Sequence, residues 1–265
     1  MVNFECKSAY DMGDFRKIIE ILRAPGGCPW DIEQTHESIR RNLLEEAYEV
    51  CEAIDQKDPE HLREELGDLM LQIIFHTRIE EENGSFDLDS VADGACKKLI
   101  YRHPHVFGNI DVSGSEEVIK NWDELKRREK SQTTVTKTMT DVAESLPALW
   151  RAEKIQKKAK KVGFDWPDSD GAMSKLSEEL QELVEALAEG DKAHVEEELG
   201  DLLFAAVNVA RFSNIDPEQA LHNSCDKFIS RFGFIETEAQ RSGRDMKDMS
   251  LEELDALYNE SKQKK

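Results

Sequence analysis

The sequence predicts an all-α fold of two tandem, duplicated helical-bundle domains, and three observations carry that expectation. Apolar residues recur three and four apart along nearly all of the 265 residues. Few stretches alternate with period two, so no strand is needed. Two acidic blocks also recur in the same order 133 positions apart: LEEAYE at 44–49 is echoed by SEELQE at 177–182, and EELGDL at 64–69 returns at 197–202. A repeat of that length is a domain duplication, not a solenoid array.

The charge narrows the function. With 35 basic and 56 acidic side chains the net charge is −21, which would repel a polyphosphate backbone, so nucleic acid is not expected as a partner. A phosphate ligand would need a bridging cation. The five cysteines (Cys6, Cys28, Cys51, Cys96, Cys225) form no Cys-x-x-Cys pair, which fits a reducing cytoplasm and excludes a zinc or dithiol motif. The first fifteen residues mix charged with apolar side chains, and runs such as 202–207 are too short for a bilayer; neither signal peptide nor membrane anchor is expected.

Along the chain, KSQTTVTKTMT at 130–140 carries no helical stripe and follows a highly charged segment, which places a linker at 131–141 between domains 1–130 and 142–265. Asp58-Pro59 provides an N-cap followed by proline at the first helical position, and Gly190-Asp191 a stop and a new N-cap. Each acidic helix is thus followed after a short turn by another, an antiparallel αα-hairpin.

Helical geometry places the carboxylates. With Leu43, Ala47, Val50 and Ile54 as one stripe, Glu46 and Glu49 lie about 60° and about 120° to one side. On the next helix Glu65 and Asp68 take the same offsets from Leu62, Leu66, Leu69 and Ile73. The second half repeats this, with Glu179 and Glu182 beside Leu176, Leu180, Leu183 and Leu187, then Glu198 and Asp201 beside Val195, Leu199, Leu202 and Ala206. Four carboxylates converge along each hairpin seam, an unfavourable grouping unless a cation neutralises it. Oxygen-only ligation suits Mg²⁺, with Mn²⁺ as a substitute. Gly67 and Gly200, mid-helix at a cost of about 1 kcal/mol relative to alanine, point to close approach of a neighbouring helix or ligand, or to simple packing.

Lys98 and Arg102 share a helical face that continues Val91 and Ala95, and Lys227 and Arg231 repeat this below Ala220 and Ser224. Such cations either pair with the carboxylates or hold phosphate oxygens. Neither G-x-S-x-G nor a P-loop is present, which disfavours a serine hydrolase, kinase or P-loop ATPase. His36, His103 and His105 lack metal-binding spacing and read as structural or surface groups.

The order EExxE, ExxD, K-x-x-x-R resembles the MazG nucleoside triphosphate pyrophosphohydrolases of the all-α NTP pyrophosphatase superfamily. The resemblance extends over LRAPGGCPWD (22–31), RHPHVFG (102–108) and RAEKIQKKAKKVGFDW (151–166). It implies Mg²⁺-dependent cleavage between the α- and β-phosphates of an NTP or dNTP, ATP included, to NMP and pyrophosphate. A nucleotide-pool housecleaning or stress role and an obligate dimer are implied with it. Residue by residue, it implies Glu179, Glu182, Glu198 and Asp201 as metal ligands, with Glu178 or Glu197 orienting or deprotonating water. Lys175, Lys227 and Arg231 would bind the nucleotide, with Tyr258 where the family commonly has Trp. The first-half counterparts are Glu46, Glu49, Glu65 and Asp68 for metal, and Lys98, Arg102 and Trp122 for nucleotide. Two other readings stay open: a related enzyme specific for dUTP or phosphoribosyl-ATP, and a non-catalytic acidic interaction scaffold. A homodimer is also expected because Leu69, Ile73, Ile74 and Phe75 offer apolar surface that one small bundle leaves uncovered.

Overall fold

The computed structural model describes residues 4–129 and 133–263; residues 131 and 132 of the expected linker lie outside them. Among the described residues the structure is helical, with no strand. The chain divides into two compact units, Met1–Lys126 and Arg127–Lys265. The linker segment carries a short helix, α8 below, whose N-terminus is capped by the Thr134 hydroxyl accepting from the Lys137 N–H at 3.1 Å.

Unit 1 is built from α1 (Met12–Arg23), α2 (Pro29–Glu33), α3 (His36–Gln56), α4 (Pro59–Glu82), α5 (Leu88–Arg102), α6 (Pro104–Phe107) and most of α7 (Ser115–Glu129). Unit 2 holds α8 (Val135–Thr140), α9 (Ala148–Lys160), α10 (Ser169–Glu189), α11 (Lys192–Phe212), α12 (Pro217–Arg241) and α13 (Leu251–Ser261). The α3/α4 and α10/α11 hairpins are the most extensively packed helix pairs. Their turns are equivalent: α3 ends on Lys57 and α10 on Gly190, both left-handed (φ 57° and 76°). The next residue, Asp58 or Asp191, then accepts N–H groups of the following helix. The expected caps are therefore present.

In unit 1, Ile19, Ile39, Ile74, Phe75 and Ile79 form the core, with Phe15, Leu22, Leu71 and Leu88 against it. Burial of such a side chain contributes about 1.5–3 kcal/mol. Arg23 lies 5.1 Å over the Phe75 ring. Its guanidinium donates to Asp31 O, Gln34 O and Glu82, pinning the PGGCPWD turn. In unit 2 the corresponding brace is Arg211, buried and bidentate on Asp165, with Asn208 as a further acceptor.

The packing corrects the expected stripes. Leu66, Ile73, Leu180, Leu187 and Leu199 are exposed, whereas the most buried line of α10 runs Ala172, Glu179, Ala186. In α3 the equivalent line is Ile39, Glu46, Ala53, with Glu46 half-buried. The seam thus passes through the first metal-candidate carboxylate of each repeat, not about 60° from it. Small residues occupy the buried line, Ala172 and Ala186 in α10 and Ala53 in α3, while these larger side chains lie on the flank. Of the four residues expected to leave apolar surface, Ile74 (2% exposed) and Phe75 (6%) belong to the core, while Ile73 (45%) is open. A Cβ added at Gly67 or Gly200 would meet open space, so neither glycine is required by a neighbouring helix of its own unit.

Candidate metal centre

Each hairpin brings three carboxylates together. Oxygens of Glu46, Glu49 and Glu65 lie within 4.8 Å of one another, and those of Glu179, Glu182 and Glu198 do likewise. The residues are equivalent in the duplication. Crowding shows in their acidity: burial, then the charges of Asp68 and Glu49, push the Glu46 carboxyl above the usual range. Glu182 is also raised, by desolvation first and then by its hydrogen bond with Glu179. Such donors, all oxygen and mutually destabilised, fit a hard divalent cation. Asp68 and Asp201 are exposed and stand outside the three-oxygen groups, although the charge of Asp68 still reaches Glu46.

Lys175 Nζ lies 2.8 Å from Glu178 Oε1 and 2.7 Å from Glu179 Oε1, which raises its ammonium pKa. Asn42 occupies the equivalent position in unit 1. Glu178 therefore sits beside the cluster, and Glu197 is exposed one residue before Glu198. Arg231 lies 5.5 Å from the Tyr258 ring centre, its Nη1 3.4 Å from the phenol oxygen. Arg102 lies 5.1 Å from the Trp122 ring centre. The pairing of the K-x-x-x-R arginine with a late aromatic is thus repeated, whereas Lys98 and Lys227 are exposed.

Several residues escaped sequence reasoning. His61 Nε2 lies 2.9 Å from Glu65, and His194 Nε2 3.3 Å from Glu198, in each case four residues before the glutamate. Their recurrence at the repeat distance was the available signal. Lys126 and Lys262 each lie 5.0 Å from the ring of the aromatic one turn earlier, Trp122 and Tyr258. His36 is structural as expected: its Nδ1 is 2.7 Å from His76 Nδ1 and its Nε2 2.7 Å from Glu80. His103 Nδ1 lies 2.7 Å from Leu99 O, and its ring lies 5.6 Å from that of His105.

A duplicated all-α hairpin with a carboxylate triad on each seam defines a class of helical protein whose acidic clusters could hold a metal ion. Residues 34–107 and again 169–232 match the MazG nucleotide pyrophosphohydrolase domain. The nucleoside triphosphate pyrophosphohydrolase/pyrophosphatase MazG of Thermotoga maritima is 43% identical over 92% of this chain and 93% of its own length. The nucleoside triphosphate pyrophosphohydrolase of Escherichia coli K12 is 40% identical over 92% and 94%. The uncharacterized protein YabN of Bacillus subtilis is 46% identical over 96% of this chain, which spans 52% of that protein. The chain belongs to the MazG family.

Proposed function

We propose that the chain is a cytoplasmic nucleoside triphosphate pyrophosphohydrolase that cleaves the α–β anhydride of NTPs and dNTPs, ATP among them, to NMP and pyrophosphate. The observation that carries this reading is the pair of equivalent carboxylate triads, each close enough to hold a cation. In unit 2, Glu179, Glu182 and Glu198, with Asp201 completing the set, would hold Mg²⁺, or Mn²⁺ in its place. Glu46, Glu49, Glu65 and Asp68 would do so in unit 1. When bound, the cation supplies charge neutralisation for a substrate triphosphate in a strongly acidic protein.

The remaining roles follow from position. Glu178 or Glu197, flanking the ligands, orients the attacking water and takes its proton. Lys175 and Lys227 act as point charges on phosphate oxygens, and Arg231, ordered by the Tyr258 ring, as a fork. Lys98, Arg102 and Trp122 repeat the nucleotide contacts in unit 1. In-line attack at the α-phosphorus places negative charge on the departing pyrophosphate, which these cations would stabilise.

The exposed flank of the hairpins, Leu180, Val184, Leu187, Leu199 and Leu203 in unit 2, supports a homodimer as the working form. The open space over Gly67 and Gly200 is consistent with close approach of a second copy. Reaction in H₂¹⁸O tests the chemistry: attack at the α-phosphorus puts the label in the NMP. Label in pyrophosphate, or ADP and phosphate as products, would overturn it.

A further inference from the structure

We propose that His61 and His194 are positioning residues of the metal centre, each fixing one cluster glutamate, Glu65 or Glu198, against the end of the preceding helix. The inference rests on the reading of the carboxylate clusters as cation sites and adds to it what orients one ligand in each.

The same three positions meet in both units. His61 Nε2 lies 2.9 Å from Glu65 Oε1, and its Nδ1 lies 3.2 Å from Oε1 of Gln56, the last residue of α3. His194 Nε2 lies 3.3 Å from Glu198 Oε1, and its Nδ1 lies 3.0 Å from Oε2 of Glu189, the last residue of α10. Each ring therefore spans its hairpin turn, with an oxygen of the first helix on one side and a cluster glutamate of the second helix on the other. Gln56 is itself held: its Nε2 donates to Glu52 at 2.9 Å, which leaves its carbonyl oxygen for the imidazole. The two glutamates are largely enclosed, their side chains 12% and 14% exposed. A carboxylate has two oxygens, so an imidazole on one leaves the other for a cation and fixes its direction beforehand.

An ordinary surface pair does not account for this arrangement. In an i, i+4 pair the helix gains more when the acid precedes the base, and here the imidazole comes first. Each histidine is also the third residue of its helix, where the positive end of the helix dipole disfavours a proton-bearing ring. Yet of the five residues between the capping Asp58 and Glu64 in unit 1, the histidine alone recurs at the equivalent place in unit 2. The contact is thus repeated where it helps the helix least, and both times it reaches a glutamate of the carboxylate cluster.

The test uses the full-length chain in a Glu46→Gln background, so that the unit 2 cluster is read by itself. Mn²⁺ affinity without nucleotide is measured by electron paramagnetic resonance titration, and the Mg²⁺ dependence of pyrophosphate release from ATP is followed alongside. His194→Ala should weaken Mn²⁺ binding about tenfold and raise the half-saturating Mg²⁺ by a similar factor, with kcat at saturating Mg²⁺ within about threefold of the parent. His194→Gln, whose amide nitrogen reaches the place of Nε2, should restore Mn²⁺ affinity to within about threefold of the parent. His194→Asn, which matches Nδ1 and reaches only the Glu189 side, should behave like the alanine variant. Mn²⁺ binding by His194→Ala as tight as the parent's, or tighter, would overturn the proposal, as would equal affinities for the Gln and Asn variants. Should His194→Ala not fold, the same three substitutions of His61 in a Glu179→Gln background carry the comparison in unit 1. A parent that shows the expected order of Mn²⁺ affinities but releases no pyrophosphate would remove the reaction and leave the proposal standing. A parent that binds no Mn²⁺ would remove the metal centre and the proposal with it.

Discussion

Lys175 Nζ lies 2.7 Å from Oε1 of Glu179, the most buried carboxylate of the unit 2 cluster, so the cluster is neutralised in part from within its own helix. Unit 1 has no such cation at the equivalent place, where Asn42 stands. Replacing Lys175 with Met in a Glu46→Gln background removes the competitor for Glu179. Mn²⁺ affinity without nucleotide should then rise about threefold, by electron paramagnetic resonance titration, while pyrophosphate release from ATP falls about tenfold. Weaker Mn²⁺ binding would show that Lys175 supports the metal instead.

His36 and His76 stack with ring centres 5.0 Å apart. Burial, and then the charge of His36, hold His76 below the ordinary imidazole value of 6.5. A lowered folded pKa means that this contribution to stability is complete above 6.5 and is lost as pH falls below it toward the folded value. Thermal midpoints between about pH 7.5 and about pH 5.5 should fall more steeply for the wild type than for His76→Asn. Parallel slopes would rule this contribution out.

Removing Arg211 takes the bidentate partner from the Asp165 carboxylate, leaving it the Trp166 N–H and Lys160 at 3.8 Å. Arg211→Ala should lower stability by about 3 kcal/mol in denaturant unfolding, and Asp165→Asn/Arg211→Met should recover much of that. A loss under about 1 kcal/mol for Arg211→Ala would mean water reaches the pair.

Lys57 adopts φ 57° at the turn where the other repeat has Gly190. Lys57→Gly should stabilise unit 1 by about 0.5–1 kcal/mol because glycine accepts the left-handed region without a Cβ penalty. Gly190→Ala should cost unit 2 about 1 kcal/mol. Chemical denaturation of each variant measures both.

The helical class, the duplication and the hairpin caps were legible because local signals encode them: period, Asp-Pro, Gly-Asp and the repeated EELGDL. The cluster residues Glu46, Glu49 and Glu65, with Glu179, Glu182 and Glu198, were legible because spacing on a rigid helix fixes direction. The seam itself was misplaced, since alanine and leucine count alike in an apolar stripe but differ in how closely they let helices pack. His61, His194, Lys126 and Lys262 were missed because each acts on a partner four residues away, a spacing that resembles ordinary surface pairing. The seat of Trp166 needed coordinates, for only they show the indole resting on Gly171.

Pyrophosphate release from ATP by Glu179→Gln, beside Glu46→Gln, tests the central claim most directly. The carboxylate cluster of unit 2 holding the catalytic cation predicts a loss of about 100-fold or more for Glu179→Gln, with helical content and melting intact. A smaller loss is expected for Glu46→Gln. A folded Glu179→Gln chain that still releases pyrophosphate at the wild-type rate would contradict that account.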